Sequence, residues 1–164
     1  MALLYNRIPE LTVERCLVIG KGSHLTYQGG RNAVLKATRS VASTELIDRN
    51  LVMDLAGVAS TYTLPAATGS GRRYRLYVGT VNTSNYIIKT ARATDLFKGT
   101  VVMAGATPTA FTAGASITTF TLNGTTTGGV AVGDWVEFTD LKAGIWGTTG
   151  AVTFSGTAAT PFAA

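Results

Sequence analysis

Between residues 50 and 99, apolar and polar side chains alternate in four short runs, 51–55, 61–64, 73–78 and 85–90. Gly-, Ser-, Thr- and Asn-rich joints separate them. Short β-branched or aromatic runs bounded by turn residues predict β-strands. In 73–78 a period of two sets Tyr74, Leu76 and Val78 on one face and Arg73, Arg75 and Tyr77 on the other. The stretch therefore predicts an antiparallel module with one face in a core and the opposite face basic and aromatic. Pro65 ends the second strand, because proline donates nothing to a ladder. Residues 66–71, with their glycines, predict a loose loop, and 81–84 a hairpin-type joint.

The same signals continue beyond residue 99. Runs 100–104 and 117–122 predict strands around an exposed loop at 105–116. Asn123-Gly124 is the strongest two-residue hairpin signal in the chain, lengthened by 125–129. Residues 134–141 alternate cleanly, with Trp135 or Val136 inward depending on register. Residues 144–150 predict a turn in which Trp146 offers a second inward aromatic, 151–155 a last strand, and Phe162 a pin for the C-terminal segment.

Before residue 50 the pattern is poorer. Pro9 interrupts the first run, and Gly20, Gly22, Gly29 and Gly30 punctuate the segment after it. The apolar residues there are too scattered to offset the ordering entropy of a separate unit. Residues 41–49 fit a helical turn and a strand equally well. The expected organisation is an extended N-terminal arm over 1–49, with one or two strands, followed by a body over 50–164. That body is all-β, a jelly-roll-like antiparallel β-sandwich of about eight to ten strands, from the spacing of its turn signals. No repeat of about twenty to fifty residues is present, so a solenoid or propeller is not expected.

Composition sharpens this. Charged residues make up 14% of the chain, against about a quarter in ordinary domains. Thr, Ala and Gly take the surface-type positions, which suits all-β structure and a surface set against other subunits. The charge is uneven: residues 1–40 carry Arg7, Arg15, Lys21, Arg31, Lys36 and Arg39 against Glu10 and Glu14, whereas residues 99–164 carry Lys142 against Asp134, Glu137 and Asp140. A basic segment seeks an acidic partner, either nucleic acid or an acidic protein surface. No run approaches transmembrane length and no apolar signal core opens the chain, so synthesis in the cytoplasm without an export signal is expected, with no membrane partner.

Candidate chemistry is sparse. Cys16 and His24 are the single cysteine and histidine. An intrachain disulfide, a cysteine cluster and a histidine zinc site are therefore excluded within one chain. A nucleophile–base pair would rest on His24 alone, in a glycine-flanked polar segment that reads as a solvated loop. Asp134, Glu137 and Asp140 are the one acidic cluster, with Asp134 and Asp140 on one strand face and Glu137 on the other. They read as ordinary strand decoration rather than a catalytic pair. The sequences around Gly20-Lys21-Gly22-Ser23 and Gly69-Ser70-Gly71 lack the spacing and following helix of a phosphate loop and read as turns. No catalytic residue, metal or cofactor is expected. Arg72, Arg73, Arg75 and Tyr77 could track and stack a nucleic-acid strand, but with Tyr74 turned to the core one aromatic is a thin platform. A subunit or shell interface, with arginines meeting a neighbour's carboxylates, is the preferred reading.

The run from Tyr62 through Leu64-Pro65-Ala66-Ala67-Thr68-Gly69-Ser70-Gly71, continued by Tyr74-Arg75-Leu76-Tyr77-Val78-Gly79-Thr80, resembles structural proteins of tailed bacteriophages. So do Asn85-Tyr86-Ile87-Ile88-Lys89, Leu122-Asn123-Gly124-Thr125 and Gly133-Asp134-Trp135-Val136-Glu137. The likeness is greatest to small capsid decoration, or cement, proteins of podovirus-like phages. The resemblance implies a non-enzymatic virion protein with a jelly-roll-type body, bound as a homotrimer to the major capsid protein on the capsid exterior. The basic arm residues Arg7, Arg15, Lys21, Arg31, Lys36 and Arg39 would then grip an acidic shell, while Arg72, Arg73, Arg75 and Tyr77 face the shell or a sister subunit. The alternative is a phage fibre or receptor-binding module recognising surface glycans, which requires Trp135 or Trp146 to be exposed beside polar groups.

Overall fold

Alternation at period two turns every second residue of each run into one interior, and the backbone obliges. The structure is a computed structural model; it describes residues 32–41 and 50–164. The described chain is all-β, with twelve strands in two sheets: β1 (Asn32–Leu35), β2 (Arg39–Ser40), β3 (Asn50–Met53), β4 (Ser60–Thr63), β5 (Arg73–Val78), β6 (Tyr86–Lys89), β7 (Leu96–Ala104), β8 (Thr109–Thr112), β9 (Thr119–Leu122), β10 (Trp135–Lys142), β11 (Ile145–Thr153) and β12 (Phe162–Ala163). One sheet has seven strands in the order β1-β3-β5-β10-β11-β7-β8, the other five in the order β12-β9-β6-β4-β2. The body is a β-sandwich, as the periodicity predicts.

The pairing is mixed rather than wholly antiparallel. From β1 to β7 the chain alternates between the sheets, so strands adjacent in sequence face each other across the core instead of pairing. Pairing then falls to strands two apart, which run the same way: β1, β3 and β5 are parallel in one sheet, and β2, β4 and β6 in the other. Strands β1 to β6 thus form a short coil of three rungs. Its rungs are unequal, with Asn32, Asn50 and Arg75 in one register row and Arg39, Tyr62 and Ile88 in the other, so no sequence repeat announces it. The body boundary expected at residue 50 falls inside this coil, because β1 and β2 supply its first rung. After β6 the strands pair antiparallel, apart from β7 on β11.

Two local expectations change for the same reason. Asn123-Gly124 does not close a hairpin, because β9 and β10 lie in different sheets. Instead Asn123 Oδ1 accepts the Thr125 and Thr127 N–H groups at 2.9 Å, and Gly124 takes φ 67°. The joint at 81–84 likewise carries the chain from one sheet to the other, around a buried Asn82 whose Nδ2 donates to Val58 O at 2.9 Å. The expected loop at 105–116 contains β8, a half-exposed edge strand with little apolar signal beyond Phe111. The turn expected at 144–150 is instead most of β11, whose Gly147 and Gly150 lie close against β10 rather than turning the chain, and the strand expected at 151–155 is its end.

The core lies between the sheets. Tyr74, Leu76 and Val78 point into it as the alternation requires, joined by Val136, Phe138, Trp146 and Val152 from the seven-stranded sheet. Tyr62, Tyr86, Ile88, Phe120 and Leu122 face them. Phe138 sits at the centre, 4.8 Å from the Phe97 ring and 5.8 Å edge-to-face from Phe120 on the opposing sheet. Phe162 does pin the C-terminal segment, buried with its ring 5.3 Å from Phe120. Burial pushes the Tyr62 hydroxyl up to about 12 and raises that of Tyr86. Tyr86 Oη is tied to Leu55 N–H at 3.0 Å and Thr80 O at 2.7 Å, closing one end of the sandwich. Gly99 has φ 131° where β7 runs against the Thr148 carbonyl of β11, a place with no room for a side chain.

Candidate functional site

The two outer faces differ. On the five-stranded sheet Thr61, Thr63, Ile87, Lys89, Thr119 and Thr121 are the outward set, a mostly hydroxyl surface. On the seven-stranded sheet one register row runs across every strand as Val34, Val52, Tyr77, Trp135, Ala151, Val102 and Ala110. Val34 and Val102 are 51% and 53% exposed. The neighbouring row is polar: Asn50, Arg75, Glu137, Thr149, Thr100 and Thr112. An apolar stripe therefore lies beside a polar one, crossing the strands.

At the centre of both rows is a built cluster. Arg75 and Glu137 are cross-strand partners. Arg75 Nε donates to Glu137 Oε2 at 2.9 Å, and its second nitrogen approaches the same oxygen at 2.8 Å. The guanidinium lies over the Trp135 indole, 4.6 Å from the ring centroid. Tyr77 first, and Glu137 after it, raise the Arg75 guanidinium above its ordinary value, with partial burial opposing. The pair is too open to solvent to add much stability; its effect is to hold the indole in one orientation.

Beside Trp135 the small side chain of Ala151 leaves a groove of about 270 Å³, lined also by Val102, Ala104, Gly133, Asp134, Val152 and Thr153. Asp134 is held at its rim. Its Oδ2 accepts Thr153 N at 2.9 Å, Thr153 Oγ1 at 2.8 Å and Ala131 N at 3.3 Å. Its Oδ1 has no partner among the described residues, nor is it sealed in the interior.

Asp140 occupies a different construction. The Thr68-Gly69-Ser70 turn wraps its carboxylate, which accepts the backbone N–H groups of Thr68, Gly69 and Ser70 at 2.7–3.1 Å and the hydroxyls of Thr68 at 3.0 Å and Ser70 at 2.7 Å. Burial alone would raise this carboxyl; the Ser70 hydroxyl and the three N–H groups outweigh it and lower it from 3.8 to about 2. The turn is thus an anion cradle of the kind successive N–H groups form, filled by the chain's own side chain. Asp134, Glu137 and Asp140, expected as strand decoration, are all buried or nearly so and each holds a separate part of the molecule.

Of the sequence-predicted site residues, Arg73, Arg75 and Tyr77 share the outer face of β5 as expected, with Arg72 exposed just before it. Arg75 is engaged by Glu137 of its own chain, while Arg72 and Arg73 make no ion pair among the described residues. Lys36 is exposed and lies 3.9 Å from Asp54, and Arg39 is exposed on β2. Arg7, Arg15, Lys21 and Arg31, with Cys16 and His24, lie outside the described residues. Trp146 is fully buried, whereas Trp135 is half-exposed on the outer face. Among the described residues no group of His, Cys, Asp and Glu is arranged to hold a metal, and no helix is long and apolar enough to cross a membrane. Comparison with protein-family models, curated proteins and solved structures finds no match.

Proposed function

We propose that the chain is a non-enzymatic structural protein of a phage virion that binds the capsid exterior as a trimer and stabilises it. The observation that carries this reading is where the basic N-terminal segment joins the body. It enters at Asn32, the start of β1, and among the described residues β1 and β2 are each an edge strand of their sheet. Lys36 and Arg39 stand exposed on that same rung. A basic segment delivered at paired sheet edges suits attachment to an acidic shell, by charge and by added strands. Arg72 and Arg73, free of ion pairs among the described residues, add a second positive contact for the shell or a sister subunit. The low charge of the body and the Thr-rich outer face of its five-stranded sheet agree with this.

The test uses expanded capsids stripped of decoration. The full chain is expected to bind them saturably as a trimer and to raise the temperature at which they open. The charge-reversed variant Arg7→Glu/Arg15→Glu/Lys21→Glu is expected to stay folded and trimeric yet fail to saturate. Equal saturation by that variant would refute attachment through the basic segment, and a monomeric full chain would refute the trimer.

A further inference from the structure

We infer that the groove between Trp135 and Val102 is a binding site for neutral saccharides. The inference stands apart from the proposed virion role, since the groove lies across β10, β11 and β7, away from the edge strands β1 and β2 beside which Lys36 and Arg39 stand.

The lining chemistry selects the ligand. One wall is the Trp135 indole, held in place by the Arg75 guanidinium; the floor is Ala151, and Val102 stands opposite. Flat C–H surface packs favourably on such a wall. The single charged residue in the lining is Asp134, 7% exposed, with Oδ2 occupied by Thr153 and Ala131 and Oδ1 unpartnered among the described residues. An anionic ligand is disfavoured by that carboxylate, and Arg75 does not compensate, being paired with Glu137. A purely apolar occupant, including a valine-rich face of a second copy, would strip water from Oδ1 without replacing its hydrogen bond. What remains is a ligand with hydroxyl donors on its rim and apolar C–H on its face, which is a sugar ring. Beyond the groove the apolar stripe continues through Val102 to Ala110, flanked by Thr149, Thr100 and Thr112. The same pairing of floor and hydroxyls thus extends toward β8, so an oligosaccharide fits the surface better than a single sugar.

The two tryptophans make the test direct, because Trp146 is sealed and Trp135 alone reports from the surface. Acrylamide quenching of the intact protein is measured against maltohexaose, cellohexaose and chitohexaose, with hexagalacturonate as the anionic control. At least one neutral oligosaccharide is expected to shield Trp135 saturably. Ala151→Leu, which fills the groove from an exposed position, is expected to abolish the shielding with unchanged thermal unfolding. Asp134→Asn, followed by calorimetry, is expected to weaken binding about tenfold by removing a charged acceptor. Four results overturn the inference. One is no shielding up to about 10 mM sugar, where even a millimolar site would be nearly full. A second is equal shielding in Ala151→Leu, and a third is shielding by hexagalacturonate alone. The fourth is shielding that grows with protein concentration in the absence of sugar, which would make the face a contact between copies.

Discussion

Replacing Asp140 with asparagine tests the most strongly determined contact in the molecule. The carboxylate takes five donors from Thr68, Gly69 and Ser70, so its ionised form is what the turn is shaped to hold. Its lowering from 3.8 to about 2 is nearly two pKa units, which at about 1.4 kcal/mol per unit makes the ionised form worth about 2 to 3 kcal/mol of folding stability. The folded value is depressed, so this contribution is complete above the unfolded value near 4 and is lost as pH falls through about 2. About half should remain at pH 3 and little at pH 2. Asparagine removes the charge and points an N–H at groups that are themselves donors, so a total loss of about 3 kcal/mol is expected at pH 7. Urea unfolding followed by tryptophan emission at pH 7, 4, 3 and 2 reads the difference directly. The gap between wild type and Asp140→Asn should be constant from pH 7 to 5 and narrow below pH 4. A variant within about 0.5 kcal/mol of wild type at pH 7, the scatter of surface substitutions, would refute the argument, as would a gap that ignores pH.

Phe162→Ala is expected to cost about 3 kcal/mol, because it removes a buried ring and the edge-to-face contact with Phe120 that seats β12; a loss below about 1 kcal/mol in urea unfolding would show that β12 contributes little. Thr148→Val goes the other way. The Thr148 hydroxyl is buried without a partner among the described residues, so the isosteric change should add about 1 kcal/mol, and calorimetric unfolding that shows a loss would mean the hydroxyl is in fact satisfied.

Much of the architecture was legible residue by residue. The alternation in 73–78 gives the observed inward set of Tyr74, Leu76 and Val78 and the outward set of Arg73, Arg75 and Tyr77, with the strand bounds unchanged. Each such assignment needs only the two-residue period and the turn residues around it. Pairing was not legible, since consecutive strands such as β3 and β4 read alike whether they join as a hairpin or cross between sheets. The candidate site failed to show for the same reason. Arg75 meets Glu137 and Trp135 only because β5 and β10, far apart in the chain, lie side by side in one register. Nor does Thr68-Gly69-Ser70 announce that its cradle is filled by Asp140, which lies on another strand.

By itself, then, the order of residues determined strands such as β4, β5 and β6, the faces of β5, the all-β class and the uneven charge, because all four are set by local sterics and by composition; β8 and the first part of β11 carry no such local signal. The tertiary structure alone decided that strands β1 to β6 coil with parallel pairing, that an apolar stripe crosses the seven-stranded sheet, and that Asp134 and Trp135 share a groove with Val102. These depend on which strands become neighbours and in what register, and that choice is made by how the two sheets bury their common core.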